Sequence, residues 1–282
     1  MSAAECLPRK EWRASLNLEI SARSTKSVLT KAQHCGPLRV QRAFYPEGGV
    51  PHVYILHPPG GIVAGDELAI NIVVSENAHG LVTTPSAGRV YRTNDADQTQ
   101  LQTVSGQVKP GGYLEWLPQE NIIFNGAHGI NHTRFNLAEG ARLMAWDITC
   151  LGRPAGNLPF VQGQFVQRLH VIQKNKPLLT ERIAVQGGDE LLHSVIGFNR
   201  YTVFATFVAT VTNTALLREL KETLQHAEGD YRLAFTQQRS LLVGRYLGHH
   251  AIEARQLFSE AWRLIRPAMA GLNACEPRIW HT

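Results

Sequence analysis

Leu68-Ala69-Ile70-Asn71-Ile72-Val73-Val74 is the stretch that decides the fold. Leu68, Ile70, Ile72 and Val74 recur at period two, which puts them on one face of a strand and Ala69, Asn71 and Val73 on the other. The same alternation returns where Phe165, Gln167, Leu169 and Val171 interleave with Val166, Arg168 and His170. Residues 53–56, 80–83, 101–108, 113–116, 121–124, 133–137 and 142–149 read as further strands. Pro110-Gly111-Gly112, Asn125-Gly126, Glu139-Gly140 and Gly187-Gly188-Asp189 punctuate them as turns. Short strands at spacings of about 8–12 residues predict a mostly β chain, as a sandwich, a barrel or a coiled β architecture. No fixed-period repeat of the solenoid kind is visible.

Helical periodicity comes only late. Leu216, Leu217, Leu220 and Leu224 form a stripe over residues 213–226, with Arg218, Glu219, Lys221 and Glu222 outside it. Ala254, Phe258, Ala261, Trp262 and Ile265 form the apolar face of a second helix over 251–266, which Pro267 is expected to stop. Two amphipathic helices after a long β region predict a segregated architecture in place of alternating βαβ units. They also offer Leu216, Leu220, Phe258 and Trp262 either as anchors for a partner or as braces on the sheet. With 282 residues, 44% of them hydrophobic, the chain reads as a single domain over 1–282 with a sizeable core.

Composition removes several classes of function. No apolar run approaches the roughly 20 residues of a membrane helix. Residues 1–13 carry both charge signs and no hydrophobic segment, unlike a secretory signal. The expectation is a soluble cytoplasmic protein that does not engage membranes. Cys6, Cys35, Cys150 and Cys275 are scattered without a Cys-x-x-Cys pair, which argues for reduced thiols, with Cys150 packed in a strand. The net charge of +5 is dispersed, much of it at Arg9, Lys10, Arg13, Arg23, Lys26, Lys31, Arg39 and Arg42. These residues lack interleaved aromatics and any DNA-binding module, so nucleic acid is not an expected partner.

Familiar catalytic motifs fail one by one. Gly60-Gly61-Ile62-Val63-Ala64-Gly65-Asp66 has no Gly-Lys-Ser/Thr after it and leads into a strand, so it is no phosphate loop. It reads as a turn with positive-φ glycines ending in Asp66, a carboxylate that either caps its own turn or points inward. Ser86, in Thr84-Pro85-Ser86-Ala87-Gly88, lacks the first glycine of a nucleophile elbow. Arg89 and Tyr91 share one strand face, suited to an ion pair or to a polar wall. Glu115 and Glu120 bracket Trp116-Leu117-Pro118; with Asp66 they define the alternative of a β-rich hydrolase. Asp147 shares a face with the small residues Ala145 and Thr149, a setting that borders open space. Glu181 shares a face with Leu179 and Ile183 and points inward if that face is buried. His128 and His132 fall in a stretch with Gly126 and Gly129 that reads as loop, and no His-Glu-x-x-His sequence occurs.

Several of these segments, in a fixed order, carry a resemblance. They are His57-Pro58-Pro59-Gly60-Gly61-Ile62-Val63-Ala64-Gly65-Asp66, Thr83 through Arg92, Leu114-Glu115-Trp116-Leu117-Pro118-Gln119-Glu120 and Trp146 through Pro154. Together they resemble urease accessory protein D, called protein H in some organisms, from about Gly36 to Trp280. The resemblance implies an open, β-helix-like stack of sheets with two C-terminal amphipathic helices. It implies a non-catalytic urease maturation factor that helps deliver nickel, with accessory protein F, the GTPase protein G docked through it, and apo-urease as partners. A pure interaction scaffold of the same family remains the other alternative. Nickel in transit needs hard oxygen ligands along a path, without the cage that would trap it. Asp66, Asp147 and Glu181 are the first candidates for such a path, Glu115 and Glu120 follow, and Thr84, Ser86, Arg89 and Tyr91 are supporting polar groups.

Overall fold

The computed structural model describes residues 13–93, 98–225 and 229–281; Cys6, Arg9, Lys10 and His226 lie outside them. The first strands are β1 (Arg13–Arg23), β2 (Lys26–Cys35), β3 (Arg39–Val40), β4 (His52–Leu56), β5 (Glu67–Val74) and β6 (His79–Thr83). Next come β7 (Gly88–Val90), β8 (Gln100–Val108), β9 (Tyr113–Trp116), β10 (Asn121–Ile123), β11 (His128–Leu137) and β12 (Arg142–Leu151). The last are β13 (Gln164–Gln173), β14 (Lys176–Gln186), β15 (Val203–Ala209), β16 (Tyr231–Gln238) and β17 (Leu241–Gly248). Three α-helices accompany them: α1 (Glu190–His193), α2 (Thr214–Leu220) and α3 (Ala251–Ala270).

The strands form two sheets. The first runs β14-β13-β11-β8-β5-β1-β2, and the second runs β16-β17-β15-β12-β9-β6-β4-β3, with β10 joining β12 to β7. Between β4 and β13 the chain winds back and forth between the sheets, laying each new strand parallel to the one a coil earlier. Glu67 lies beside Leu101, Gln100 beside Gly129 and His128 beside Gln164, so successive coils are 34, 29 and 36 residues long. Those unequal coils are why no fixed repeat shows in a chain that is nonetheless coiled.

Burial explains which strands announce themselves. The first sheet has one wet face, so β5, β11 and β13 alternate buried and accessible residues. Its inner side chains, among them Leu16, Ile70, Phe135 and Phe165, meet Val53, Val82, Leu114 and Ala145 of the second sheet in one core. The second sheet is covered again on its far side by α2 and α3, where Trp146, Phe207 and Leu242 pack on Phe258, Trp262, Leu216 and Leu220. β15, buried at every position, therefore reads Val-Phe-Ala-Thr-Phe-Val-Ala without alternation. The structure adds β1, β2, β3, β7, β14, β15, β16 and β17 to the strands expected from periodicity, and extends β11 back over His128 and His132, which are strand residues.

The helices also depart from expectation. α2 is capped by Asn213, whose side chain accepts from the amides of Ala215 and Leu216, and a π-helical turn (Lys221–Gln225) continues it. α3 runs through Pro267 and ends at Gly271, whose φ is 68°. Pro267 is exposed, while its neighbours Arg266 and Met269 are buried and hold that last turn in place. Leu216, Leu220, Phe258 and Trp262 are all buried on the chain's own second sheet. Of the two roles that the sequence offers them, the structure places them in bracing and leaves none of them open to a partner.

Phe258, fully buried, sits with its ring centroid 5.5 Å from that of Phe207 and 6.3 Å from that of Trp146. Phe258→Ala should cost about 3–5 kcal/mol of stability in urea melts. Ile252→Ala, on the exposed side of the same helix, should stay within about 0.5 kcal/mol.

Candidate functional site

β12 alternates between two interiors. Trp146 and Ile148 point to the helices, while Ala145, Asp147 and Thr149 point to the first sheet. There, Thr133 Oγ1 of β11 donates to Asp147 Oδ2 at 2.9 Å, and Thr149 Oγ1 donates to Gln167 Oε1 of β13 at 2.5 Å. Thr206 of β15, the cross-strand neighbour of Asp147, donates to Glu181 Oε1 of β14 at 2.5 Å. Glu181 also accepts from Arg245, 2.8 Å away. A seam of hydroxyls, amides and carboxylates thus crosses a core that is otherwise aliphatic and aromatic.

The seam is not saturated. Both side-chain polar atoms of Asn131 and Nε2 of Gln167 are buried without a hydrogen-bond partner. Such orphans are rare in a folded interior, and several in one place mark room for a polar guest. A cavity of about 310 Å³ supplies that room, lined by Gln102, Asn121, Asn131 and Asp147 among apolar walls that include Trp116 and Phe165. On the far side Glu181, Thr206 and Arg245 line a more open depression of about 810 Å³. Asp147 at the wall of one space and Thr206 at the wall of the other are paired across adjacent strands. Among the described residues no three His, Cys, Asp or Glu side chains cluster to hold a metal ion. The donors on offer are oxygens strung along a line.

The other sequence-predicted residues are distributed differently. Thr84, Ser86 and Arg89 line the 310 Å³ cavity; Thr84 Oγ1 accepts from the amide of Gln119, and Arg89 donates to the carbonyl of Gly60. Tyr91 lines neither cavity and packs edge-on to Phe124. Asp66 caps its own turn, accepting from the amide of Val63 at 2.9 Å, with Gly65 at φ 78° making the bend. It lines neither cavity, so the capping role is the one it fills. Glu120 is half-buried outside both cavities, and its carbonyl accepts from the amide of Gly88. The residues that periodicity passes over are Asn131, Thr133, Thr149, Gln167 and Thr206. A trace of them is visible in Gln167, a polar residue in the apolar stripe of Phe165, Leu169 and Val171.

Glu115 faces the opposite way, into the helical layer. His79 Nε2 lies 2.6 Å from its Oε1, Trp262 Nε1 donates to Oε2 at 2.5 Å, and Arg266 Nε donates at 3.1 Å. Arg266 in turn holds Glu47 at 2.7 Å through both terminal nitrogens, and Glu47 meets His52 at 2.8 Å. Burial pushes the Glu115 carboxyl up, but His79, Arg266 and Trp262 outweigh it and hold it below the ordinary range. A carboxylate so enclosed, shared with neither cavity, is part of a structural clamp between α3 and the second sheet. It is not free for acid-base work alongside Asp66 and Glu120.

Asp147 is the opposite case. Burial pushes its carboxyl up to about 7; Thr133 and the amide of Asn131, which stands outside hydrogen-bond geometry, partly offset this, and the charge of Glu181 adds to it.

Each environment generates a prediction. The Asp147 proton is held more tightly in the folded state, so its contribution is full below about pH 4 and is lost as pH rises through about 7. Asp147→Asn should therefore become more stable relative to the native chain across that interval, as urea midpoints at stepped pH would record. Glu47 behaves inversely: burial raises its carboxyl, His52 and Arg266 outweigh burial, and it falls to about 2. Its contribution is present above about pH 4.5 and is lost as pH falls toward 2. Arg266→Met, which strands two buried carboxylates, should cost about 3–5 kcal/mol near neutrality. That deficit should shrink as the glutamates protonate on acidification.

Comparison with known proteins finds relatives along nearly the whole chain. The family model described as UreD urease accessory protein matches residues 13–281. The urease accessory protein UreD of Hahella chejuensis is 40% identical over 285 residues, covering 97% of this chain and 91% of its own. That of Psychromonas ingrahamii is 39% identical over 98% of this chain and 96% of its own. That of Alkalilimnicola ehrlichii is 41% identical over 96% and 92%. With a match of this extent along the whole β body and its helical layer, the chain belongs to the UreD family of urease accessory proteins.

Proposed function

We propose that this protein is a non-catalytic, metallochaperone-type maturation factor that scaffolds the accessory complex on apo-urease and passes nickel toward the urease active site. In this reading it works in the cytoplasm with accessory protein F, with the GTPase protein G docked through F, and with apo-urease. Nickel is cargo here, bound weakly and in transit.

The observation that supports the reading is the seam from Asp147 to Thr206 and Glu181 between two cavities. Ni²⁺ stands high in the affinity order of divalent ions, so a Cys/His cage would hold it. Oxygen donors spread along a line can replace part of a hydration shell and still release the ion, as in conducting pores. The orphaned amides of Asn131 and Gln167 leave lone pairs and N–H groups for water or a hydrated ion. Near neutrality Asp147 lies close to its own midpoint, so a cation beside it would draw it into the charged form.

Asp147→Asn and Glu181→Gln keep shape and remove charge. Co-expressed with urease and the other accessory proteins, each should leave complex formation intact. Loss of one charged ligand worth about 1.4 kcal/mol on a transit barrier should slow nickel loading by about tenfold. Normal complexes that load urease fully at the normal rate would reduce the protein to a scaffold without a metal path.

A further inference from the structure

The outer face of the first sheet carries a feature that neither cavity involves. Register places His132 of β11 beside Arg168 of β13, and Arg168 beside Arg182 of β14. In the next outward-facing row Arg134 lies beside His170, and His170 beside Thr180. The inner positions of these strands, Thr133, Phe135, Gln167 and Leu169, are buried between the sheets, so these five basic side chains point outward. The His132 and His170 rings stand 5.1 Å apart, edge to face.

This charge has no internal balance. Of the residues that face outward from β8, β11, β13 and β14, none is Asp or Glu. Among the described residues none of the three guanidiniums forms an ion pair; Arg134 donates to Asn136 instead. His132 Nε2 is buried without a hydrogen-bond partner. Burial, the other histidine and the nearby arginines hold His132 below the ordinary range, and burial with Arg134 and Arg168 does the same for His170. Two adjacent imidazoles invite a metal reading, but three guanidiniums beside them repel a dication. What fits is an anion.

The flanking rows identify its kind. On one side Ile130, Val166 and Ala184 lie in register, and on the other Asn136 pairs with Ile172. All are half-buried aliphatics or neutral groups. A band of cations between aliphatic rows matches the mixed character of a protein interface. A phosphate backbone would call for a longer basic track, with aromatic platforms if single-stranded. We propose that this face, centred on Arg134, Arg168, Arg182, His132 and His170, docks an acidic, carboxylate-bearing surface of a protein partner. Arginine forks suit carboxylates in paired geometry, and opposite charge across the interface sets register and speeds encounter. The inference goes beyond nickel transit and does not depend on it, since none of these side chains lines either cavity.

The test uses the full chain with poly-L-glutamate as the acidic probe, alongside a short DNA duplex and phosphatidylserine vesicles. Poly-L-glutamate should bind at low salt and weaken as salt rises. Arg134→Glu, Arg168→Glu and Arg182→Glu combined should reduce its affinity by about tenfold or more. Arg218→Glu, exposed on α2, should leave it unchanged. The neutral set Arg134→Gln, Arg168→Gln and Arg182→Gln gives the same reading if charge reversal impairs folding. Equal loss with Arg218→Glu would overturn the assignment. So would DNA or vesicles binding more tightly than poly-L-glutamate and depending on the same three arginines.

Discussion

The second sheet is covered on both faces, and most of what is distinctive in this protein follows from that. A sheet with one wet face can send its polar side chains to solvent. A doubly covered sheet cannot, so every polar group on β9, β12 and β15 must find a partner inside or leave an unsatisfied atom at a cost of about 1–3 kcal/mol. Glu115 and Asp147, on neighbouring strands of this sheet, answer the constraint in opposite ways.

On the helical side the answer is pairing of the charges, although Nδ1 of His52 and the hydroxyl of Tyr113 are left without partners. Glu115, Arg266, Glu47, His52 and His79 pair their charges with one another, with Trp262 adding a donor, and the result ties α3 to the sheet. A buried ion pair of this kind is expensive to break and contributes little over an apolar substitute, so its main effect is to fix where the helix lies. On the inter-sheet side the answer is incompleteness. Asp147 has one close hydroxyl donor, Asn131 has no partner for either polar atom, and open volume adjoins both. The first arrangement suits rigidity and the second leaves room for a polar guest. The same strand spacing produces both because successive side chains of the paired strands β9 and β12 point to opposite sides.

The first sheet differs by having a free outer face. Its β-helical winding stacks β5, β8, β11 and β13 in parallel, which lines up equivalent positions of successive coils into rows. Rows of like residues then accumulate without any of them being close in sequence. Arg134, Arg168 and Arg182 are dispersed in the chain and adjoin one another only because the coils and the final hairpin register them. In the sequence they look like part of a dispersed net charge of +5.

The sequence by itself determined the middle strands of the first sheet, β5, β8, β11 and β13, because one wet face enforces period two, most plainly at Leu68 to Val74 and at Phe165 to Val171, while β1, β2 and β14 of the same sheet went unread. It also determined the two late helices through their leucine and aromatic stripes. The ordered segments around Gly60, Arg89, Trp116 and Asp147 carried the family resemblance. Alternation about Asp147 marked a carboxylate bordering open space, and the cavity lies there. Tertiary structure alone decided the rest. β15 is buried throughout, with Thr206 as its one polar side chain, because both its faces are dry, so no period could reveal it. Glu115 and Asp147 look alike in sequence, and only the face each takes in the parallel pairing of β9 with β12 separates a paired clamp from an open seam. Asp66 and Glu181 likewise differ by context: one accepts from its own turn, while the other reaches Thr206 and Arg245 from distant parts of the chain. The run of α3 through Pro267 rests on the burial of Arg266 and Met269, contacts made across long sequence separations that local propensity does not contain.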